Sequence, residues 1–214
     1  MPFHDKPILG MIGGIGAGKS FVSQLLARLG CCVIDSDQAA RDAFTDPAVI
    51  VELKQLFGDH IVRDDGKVDR KLVALSVFTS PALREKLEAI IHPIVDQKRD
   101  EQMKAHANDP AVKVFVWDSP LLFEAGLADA CDALLFVDAP RELRVKRVMA
   151  TRGWDDAELA RREAAQVPLD DKRHRADWVL RSDAPEANLV PQLKRIVEEL
   201  LQRPLKTKPA TPKR

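Results

Sequence analysis

The sequence predicts an α/β protein whose central sheet is parallel. An apolar run at 8–12 is followed by the glycine-rich segment 13–20, by apolar residues at helical spacing over 21–29, and by a second apolar run at 31–34. A strand, a helix and a second strand in this order form a βαβ unit, whose two strands are parallel. Further apolar runs can supply the remaining strands, at 112–118, 133–138 and 178–180.

The segment 13–20 reads GGIGAGKS, a complete G-x-x-x-x-G-K-S motif. Its glycines allow successive backbone N–H groups to point at phosphate oxygens, and the helix that follows presents its N-terminus to the same anion. Lys19 supplies a charge for the β- and γ-phosphates, and the Ser20 hydroxyl can ligate Mg²⁺. A chance glycine-rich turn is the alternative, but strand, loop and helix occur in the required order. We therefore predict a nucleoside triphosphate site formed by Gly14, Ile15, Gly16, Ala17, Gly18, Lys19 and Ser20.

The next segment, 38–110, is predicted to be mostly helical. Val49, Leu53 and Phe57 lie on one helix face, and His92-Pro93 is expected to interrupt a later helix, because the residue before proline disfavours the α conformation. A long helical insertion between two strands of a nucleotide-binding sheet is a natural position for a substrate-binding subdomain.

Carboxylates follow two of the predicted strands. Asp118 ends the run at 112–118, as in a Walker B strand whose aspartate approaches Mg²⁺, although it could instead cap the next turn. Asp35 and Asp37 end the run at 31–34, where a carboxylate can accept a proton from a substrate hydroxyl. Helix capping is the alternative role for one of these two.

The segment 141–175 is strongly basic. A solvated helix face is the default explanation for most of its charges. Breaks at Gly153 and Pro168 predict two helices on hinges, which suits a mobile lid that carries two or three arginines to the phosphates. The ten basic residues are Arg141, Arg144, Lys146, Arg147, Arg152, Arg161, Arg162, Lys172, Arg173 and Arg175.

Composition limits the other functions. Lys+Arg and Asp+Glu are both 33, and this balance argues against bulk binding to nucleic acid or to an anionic membrane. Cys31, Cys32 and Cys131 lack metal-ligand spacing and are predicted to be small core residues in a reducing compartment. No apolar run has membrane-spanning length. We expect a soluble, cytoplasmic, monomeric protein with one domain over 1–201 and a basic, disordered tail over 202–214.

The pattern of motifs favours a small-molecule kinase over other nucleotide-binding classes. The sequence has no Asn-Lys-x-Asp for guanine recognition, and no glutamate follows Asp118, as it does in many motor ATPases. Two alternatives stay open, namely another nucleoside or nucleotide kinase of the same architecture and a non-catalytic nucleotide-binding regulator.

Five blocks of the sequence carry a family resemblance, namely GGIGAGKS at 13–20, VIDSDQAAR at 33–41, HP at 92–93, DSPLLFE at 118–124 and the segment from Gln166 to Asp177. They resemble the dephospho-coenzyme A kinase family, and the resemblance spans about residues 8–201. It implies ATP- and Mg²⁺-dependent phosphorylation of the ribose 3′-hydroxyl of dephospho-CoA, the last step of coenzyme A synthesis. It also implies a P-loop NTPase fold with a five-stranded parallel sheet flanked by helices over 8–37, 111–140 and 176–201, a CoA-binding insertion at 38–110 and a lid at 141–175.

The resemblance also implies residue roles. Asp37 corresponds to the general base, Lys19 to the phosphate-binding lysine and Arg147 to a lid arginine that reaches the phosphates. The metal ligands would be Ser20 and Asp118. The substrate-binding positions would be Asp37, Arg41, His92 and Leu121.

Three positions depart from the family pattern. Ile12 and Phe21 stand where the family usually has threonine, so Phe21 can offer the α-phosphate only its backbone N–H. Ser182 stands about where the family tends to have asparagine, at the position of an expected adenine contact.

Overall fold

The computed structural model describes residues 6–206, and its centre is a five-stranded parallel sheet. The strand order is β2-β3-β1-β4-β5. The prediction of a parallel α/β sheet is therefore confirmed. The strands are β1 (Ile8–Gly13), β2 (Cys31–Asp35), β3 (Val114–Asp118), β4 (Ala133–Asp138) and β5 (Trp178–Arg181).

Helices cover both faces of this sheet, so the central strands are apolar throughout. Successive residues of β1 point to opposite faces, so Leu9 and Met11 enter one core cluster while Ile8 and Ile12 enter the other. The first cluster includes α1 (Lys19–Arg28) and α9 (Glu186–Leu201). All six residues of β1 are buried, and the strand therefore holds the glycine-rich loop on a rigid base.

Residues 35–102 form a second compact unit, separate from the sheet unit, which comprises 6–34 and 103–206 of the described chain. Its core is small and apolar, with Val49, Leu53 and Ile61 fully buried. The assignment of this unit to CoA binding stays a prediction. Its helices are α2 (Ser36–Ala43), α3 (Pro47–Phe57), α4 (Arg70–Thr79) and α5 (Pro81–Ala105), which extends past the boundary of the unit.

The predicted break at His92-Pro93 is wrong, because α5 runs through Pro93 without interruption. Proline lacks an N–H and removes one bond of the helical ladder, a local cost. Ile91 and Val95 flank Pro93 and are both buried in the core of the helical unit. Packing of this face stabilises the helix across the proline.

The basic segment contains three helices, not the two predicted. They are α6 (Arg141–Arg152), α7 (Asp156–Glu163) and α8 (Leu169–His174). Both predicted breaks are present, since Gly153 takes a left-handed conformation with φ of 68° and Pro168 directly precedes α8. The third helix is the short α8 that follows the predicted break at Pro168, so the two breaks separate three helices.

The tail was expected to pack against nothing, and its first residues contradict this. Arg203 lies over the ring of Trp178 at 4.2 Å and pairs with Asp177 at 2.6 Å. The backbone N–H of Lys206 donates to Asp132 at 2.9 Å. The contact of Arg203 with Trp178 and the hydrogen bond to Asp132 thus hold residues 202–206 against the sheet unit. Residues 207–214 lie outside the described part of the chain.

Within residues 6–206, every helix is too short or too polar to cross a membrane.

The cysteine thiols are predicted to react slowly in the native protein. Burial raises the pKa of Cys31 to about 12, and burial also raises the pKa of Cys32 despite the opposing charge of Lys6. At pH 8 a thiol with such a pKa is about one part in ten thousand thiolate, which is the nucleophilic form. We expect slow colour development with an aromatic disulfide reagent, and fast reaction of all three thiols in denaturant. Three fast thiols in the native protein would contradict the burial of Cys31 and Cys131.

Candidate active site

The glycine-rich loop connects β1 to α1 and closes in a tight turn. The N–H of Ala17 donates to the carbonyl of Gly14 at 3.1 Å. Gly16 and Gly18 have φ values of 77° and 91°, in the left-handed region that glycine adopts without strain. Gly18 is the N-cap residue of α1 and has no side chain to cap it. The positive end of α1 therefore faces the space where an anion would bind.

Three successive carbonyl groups of the loop accept hydrogen bonds from side chains of α6 and of the residue after β5. The carbonyl of Ile15 accepts from Arg144 Nη1 at 3.4 Å, and that of Gly16 accepts from Arg147 Nη1 at 3.2 Å. The carbonyl of Ala17 accepts from the hydroxyl of Ser182. In a trans peptide the N–H points opposite to the C=O, so the N–H groups of Gly16 and Gly18 face away from these side chains.

Asp118 lies beside the strand that enters the loop. The register of the two parallel strands pairs Met11 of β1 with Asp118 of β3. The hydroxyl of Ser23 donates to Asp118 Oδ2 at 2.7 Å. Ser23 is three residues after Ser20 on α1, so the carboxylate is held against the first turns of this helix. This position is that of a Walker B aspartate.

Asp35 and Asp37 take different positions at the end of β2. Asp35 caps α2, since its Oδ1 accepts from the N–H of Gln38 at 2.9 Å. Arg41 lies 3.7 Å from the other oxygen of Asp35 and donates to Gln38 Oε1. Asp37 is in the first turn of α2 and is exposed. The capping alternative thus applies to Asp35, which leaves Asp37 as the candidate base.

The two other predicted substrate positions lie in different units. His92 is half-buried on α5 in the helical unit, and Leu121 lies in the turn after β3 in the sheet unit with 46% of its surface exposed. An exposed leucine after a strand that ends in Asp118 is available to an apolar part of a ligand.

Arg147 differs from its basic neighbours in 141–175. Most of these pair with carboxylates, including Arg141 and Arg144 with Glu163, and Arg173 with Asp138 at 2.9 Å. Arg147 contacts the loop, and within residues 6–206 it forms no ion pair shorter than 4 Å. The other basic residues paired with carboxylates are Arg161, Arg162, Lys172 and Arg175.

A buried ion pair joins two sequence blocks that composition did not connect. Lys172 is 1% exposed, and its Nζ lies 2.9 Å from Glu124 Oε1. The same carboxylate oxygen accepts from the N–H of Val167 at 2.8 Å, and Lys172 also contacts Gln166 Oε1 at 3.3 Å. The pair fixes the segment before α8 to the segment after β3. The local pattern of neither block indicates this pairing, because Lys172 is one of several charged residues in its segment.

A small cavity of about 120 Å³ adjoins the loop in the sheet unit. Its wall is half polar, and the ion pair of Arg173 with Asp138 lies in it. Such a cavity holds a fragment the size of a phosphate or part of a sugar rather than a whole nucleotide. Other lining residues are Gly14, Ala17, Arg144 and Leu169.

Comparisons with known proteins agree on one family. The family model described as dephospho-CoA kinase matches residues 7–188. The dephospho-CoA kinase of Deinococcus radiodurans is 40% identical over 199 residues, which are 93% of this chain and 94% of that protein. That of Anaeromyxobacter dehalogenans is 40% identical over 183 residues, 84% of this chain and 86% of its own.

Solved structures agree with the fold. The crystal structure of TT1252 from Thermus thermophilus has a TM-score of 0.80 at 37% identity and covers 92% of this chain and 98% of its own. A dephospho-CoA kinase from Campylobacter jejuni has a TM-score of 0.65 at 23% identity, and the match covers 91% of this chain and 97% of that structure. A shikimate kinase from Acinetobacter baumannii has a TM-score of 0.54 at 15% identity, and the match covers 95% of this chain and 98% of that structure. At this low identity the similarity concerns the fold alone. The core is therefore a P-loop NTPase fold.

Proposed function

The chain belongs to the dephospho-CoA kinase family, and from this membership we propose how its residues carry out the reaction. The protein is an enzyme that phosphorylates dephospho-CoA with ATP, in coenzyme A biosynthesis. The acceptor atom we propose is the ribose 3′-hydroxyl oxygen, as the sequence resemblance implies. In that case the reaction is the last step of the synthesis.

The phosphate groups of ATP bind in the loop over 14–20, with Phe21 contributing its backbone N–H. The observation that supports this most strongly is the set of loop carbonyls held from behind by Arg144, Arg147 and Ser182. Because the carbonyls of Ile15 and Ala17 are fixed, the N–H groups of Gly16 and Gly18 at the other ends of the same peptides are oriented before ATP binds. These N–H groups then need no reorganisation during phosphoryl transfer. Lys19 and the N-terminus of α1 add positive charge to the same place.

Asp37 is the general base in this proposal. It accepts the proton of the attacking hydroxyl while the γ-phosphoryl group passes to the oxygen and ADP leaves. The sequence resemblance assigns proton transfer to Asp37, whereas Asp35 is the cap of α2.

Mg²⁺ would be held by the hydroxyl of Ser20 and, directly or through water, by Asp118. This donor set suits Mg²⁺, which binds proteins through one or two oxygen ligands and keeps water and phosphate oxygens for the rest. Within residues 6–206, no cluster of three or more His, Cys, Asp or Glu residues is arranged to hold a metal ion. When bound, Mg²⁺ would neutralise charge on the phosphates.

Dephospho-CoA would contact Arg41, His92 and Leu121, with the helical unit as its binding subdomain and 141–175 as the lid. Arg41 offers a planar guanidinium for phosphate, and Leu121 offers an exposed apolar contact. A cytoplasmic location is supported by three free thiols, Cys31, Cys32 and Cys131. The monomeric state stays a prediction of the sequence, and light scattering of the purified protein tests it.

The decisive experiment measures ADP release with Mg·ATP in the presence and absence of dephospho-CoA. We expect turnover that depends on dephospho-CoA and is absent with adenosine or AMP. Nucleotide binding without stimulation by dephospho-CoA would favour the non-catalytic regulator. Stimulation by AMP instead would favour another nucleotide kinase of the same architecture.

The R147A variant is predicted to lower kcat/KM about 10- to 100-fold, because a positive charge beside the loop is removed from the transferring phosphoryl group. Steady-state ADP release measures this effect. The matched control is R161A, because Arg161 is an exposed lid arginine already paired with Glu158 at 2.6 Å. We expect R161A to stay within about twofold of wild type. Equal effects of the two substitutions would refute the assignment of Arg147.

A further inference from the structure

We propose that Ser182 is a positioning residue that holds the phosphate loop and Arg147 as one hydrogen-bonded unit, an inference that rests on the phosphate-binding role proposed for both. The residue follows β5 directly and is only 4% exposed. Its backbone N–H donates to the carbonyl of Asp138 at 2.8 Å. The end of the sheet therefore fixes the place from which its side chain acts.

The hydroxyl of Ser182 makes two hydrogen bonds with different partners. It donates its single proton to the carbonyl of Ala17 and accepts from Arg147 Nη1 at 3.1 Å. The other terminal nitrogen of Arg147 donates to the backbone carbonyl of Ser182 at 3.2 Å. Only a small side chain that both donates and accepts satisfies this arrangement.

The two bonds have separate consequences for phosphate binding. Fixing the carbonyl of Ala17 fixes the peptide whose opposite end is the N–H of Gly18. Fixing Arg147, which also donates to the carbonyl of Gly16, holds its positive charge beside the loop in one conformation. Ser182 thus orients an amide and a charge without touching the nucleotide.

Arg147 and Ser182 lie close to Gly18 of the loop. A Cβ atom added at Gly18 would lie 3.0 Å from Arg147 Nη1 and 3.2 Å from Ser182 Oγ. The unit formed by Ser182 and Arg147 therefore lies against the residue that begins α1, where the loop amides and the helix N-terminus meet.

The competing explanation is that the Ser182 hydroxyl only stabilises the end of β5. The S182A variant removes both hydrogen bonds with little change in volume, and L180V serves as the matched control. Leu180 is fully buried on the same strand and belongs to the core, so its truncation destabilises β5 but removes neither hydrogen bond of the Ser182 hydroxyl.

The test is steady-state kinetics of wild type, S182A, R147A, the double variant and L180V, with ATP and dephospho-CoA varied separately. We expect S182A to raise KM for ATP about tenfold while KM for dephospho-CoA changes less than about twofold. In the R147A background the effect of S182A should shrink to about threefold, because the two residues act as one unit. L180V should leave both KM values unchanged.

Three results would overturn the proposal. These are an unchanged KM for ATP in S182A, equal changes in both KM values, and effects of S182A and R147A that simply multiply. Failure of the proposed function would look different, because wild type itself would then lack turnover that depends on dephospho-CoA.

Discussion

Replacing Asp37 by asparagine is expected to lower kcat by about 100-fold or more while the affinity for ATP stays nearly unchanged. Asparagine has the size of aspartate but cannot accept the proton of the attacking hydroxyl as a base. Binding of ATP depends on the loop and Lys19, which belong to the sheet unit and are not altered. Single-turnover ADP release measures the chemical step, and calorimetric titration with a non-hydrolysable ATP analogue measures the affinity.

The matched control for this substitution is D35N on the same turn. Asp35 caps α2, and asparagine caps a helix about as well as aspartate does. The exposed pair with Arg41 at 3.7 Å contributes little. We therefore expect D35N to keep kcat within a few fold and to unfold at nearly the wild-type temperature. Wild-type turnover in D37N, or an equal loss in both variants, would remove Asp37 from the role of base.

The features that the sequence predicted well are local. The span 133–138 was expected to be a buried strand and is β4, Ala133–Asp138, because a continuous apolar run that ends in aspartate has few other stable conformations. The glycine-rich loop, α1 and the β2 strand that ends in Asp35 follow from spacing in the same way. The cap role of Asp35 was already one of two alternatives.

The features that the sequence did not predict depend on contacts between distant residues. Pro93 is tolerated inside α5 because Ile91 and Val95 pack in the core of the helical unit. The local sequence pattern around Pro93 does not predict this core. The sequence singled out Ser182 only as a departure from the family at the position of an adenine contact, whereas its hydroxyl forms hydrogen bonds with Ala17 and Arg147. Such pairings are fixed by the fold rather than by the neighbouring sequence.

The K172M variant is expected to lower the free energy of unfolding by about 1–3 kcal/mol, less than for a fully buried ion pair, because 21% of the Glu124 side chain is exposed to solvent. Methionine keeps most of the volume of lysine, so a cavity is not the cause. Glu124 would keep a charge that the N–H of Val167 alone must stabilise. Denaturant titration followed by circular dichroism measures the loss, and R195M is the control for an exposed pair, with Arg195 79% exposed and 2.7 Å from Glu199.

The double variant K172M/E124Q distinguishes the ion pair from general damage to this region. Glutamine is neutral but still presents an oxygen to the N–H of Val167, so the uncompensated charge disappears while that hydrogen bond remains. The double variant should therefore be more stable than K172M, and R195M should lose no more than about 1 kcal/mol. If K172M and the double variant were equally unstable, the cost would come from lost packing of the lysine stem. Glu124 would then not be the residue that fixes the segment before α8.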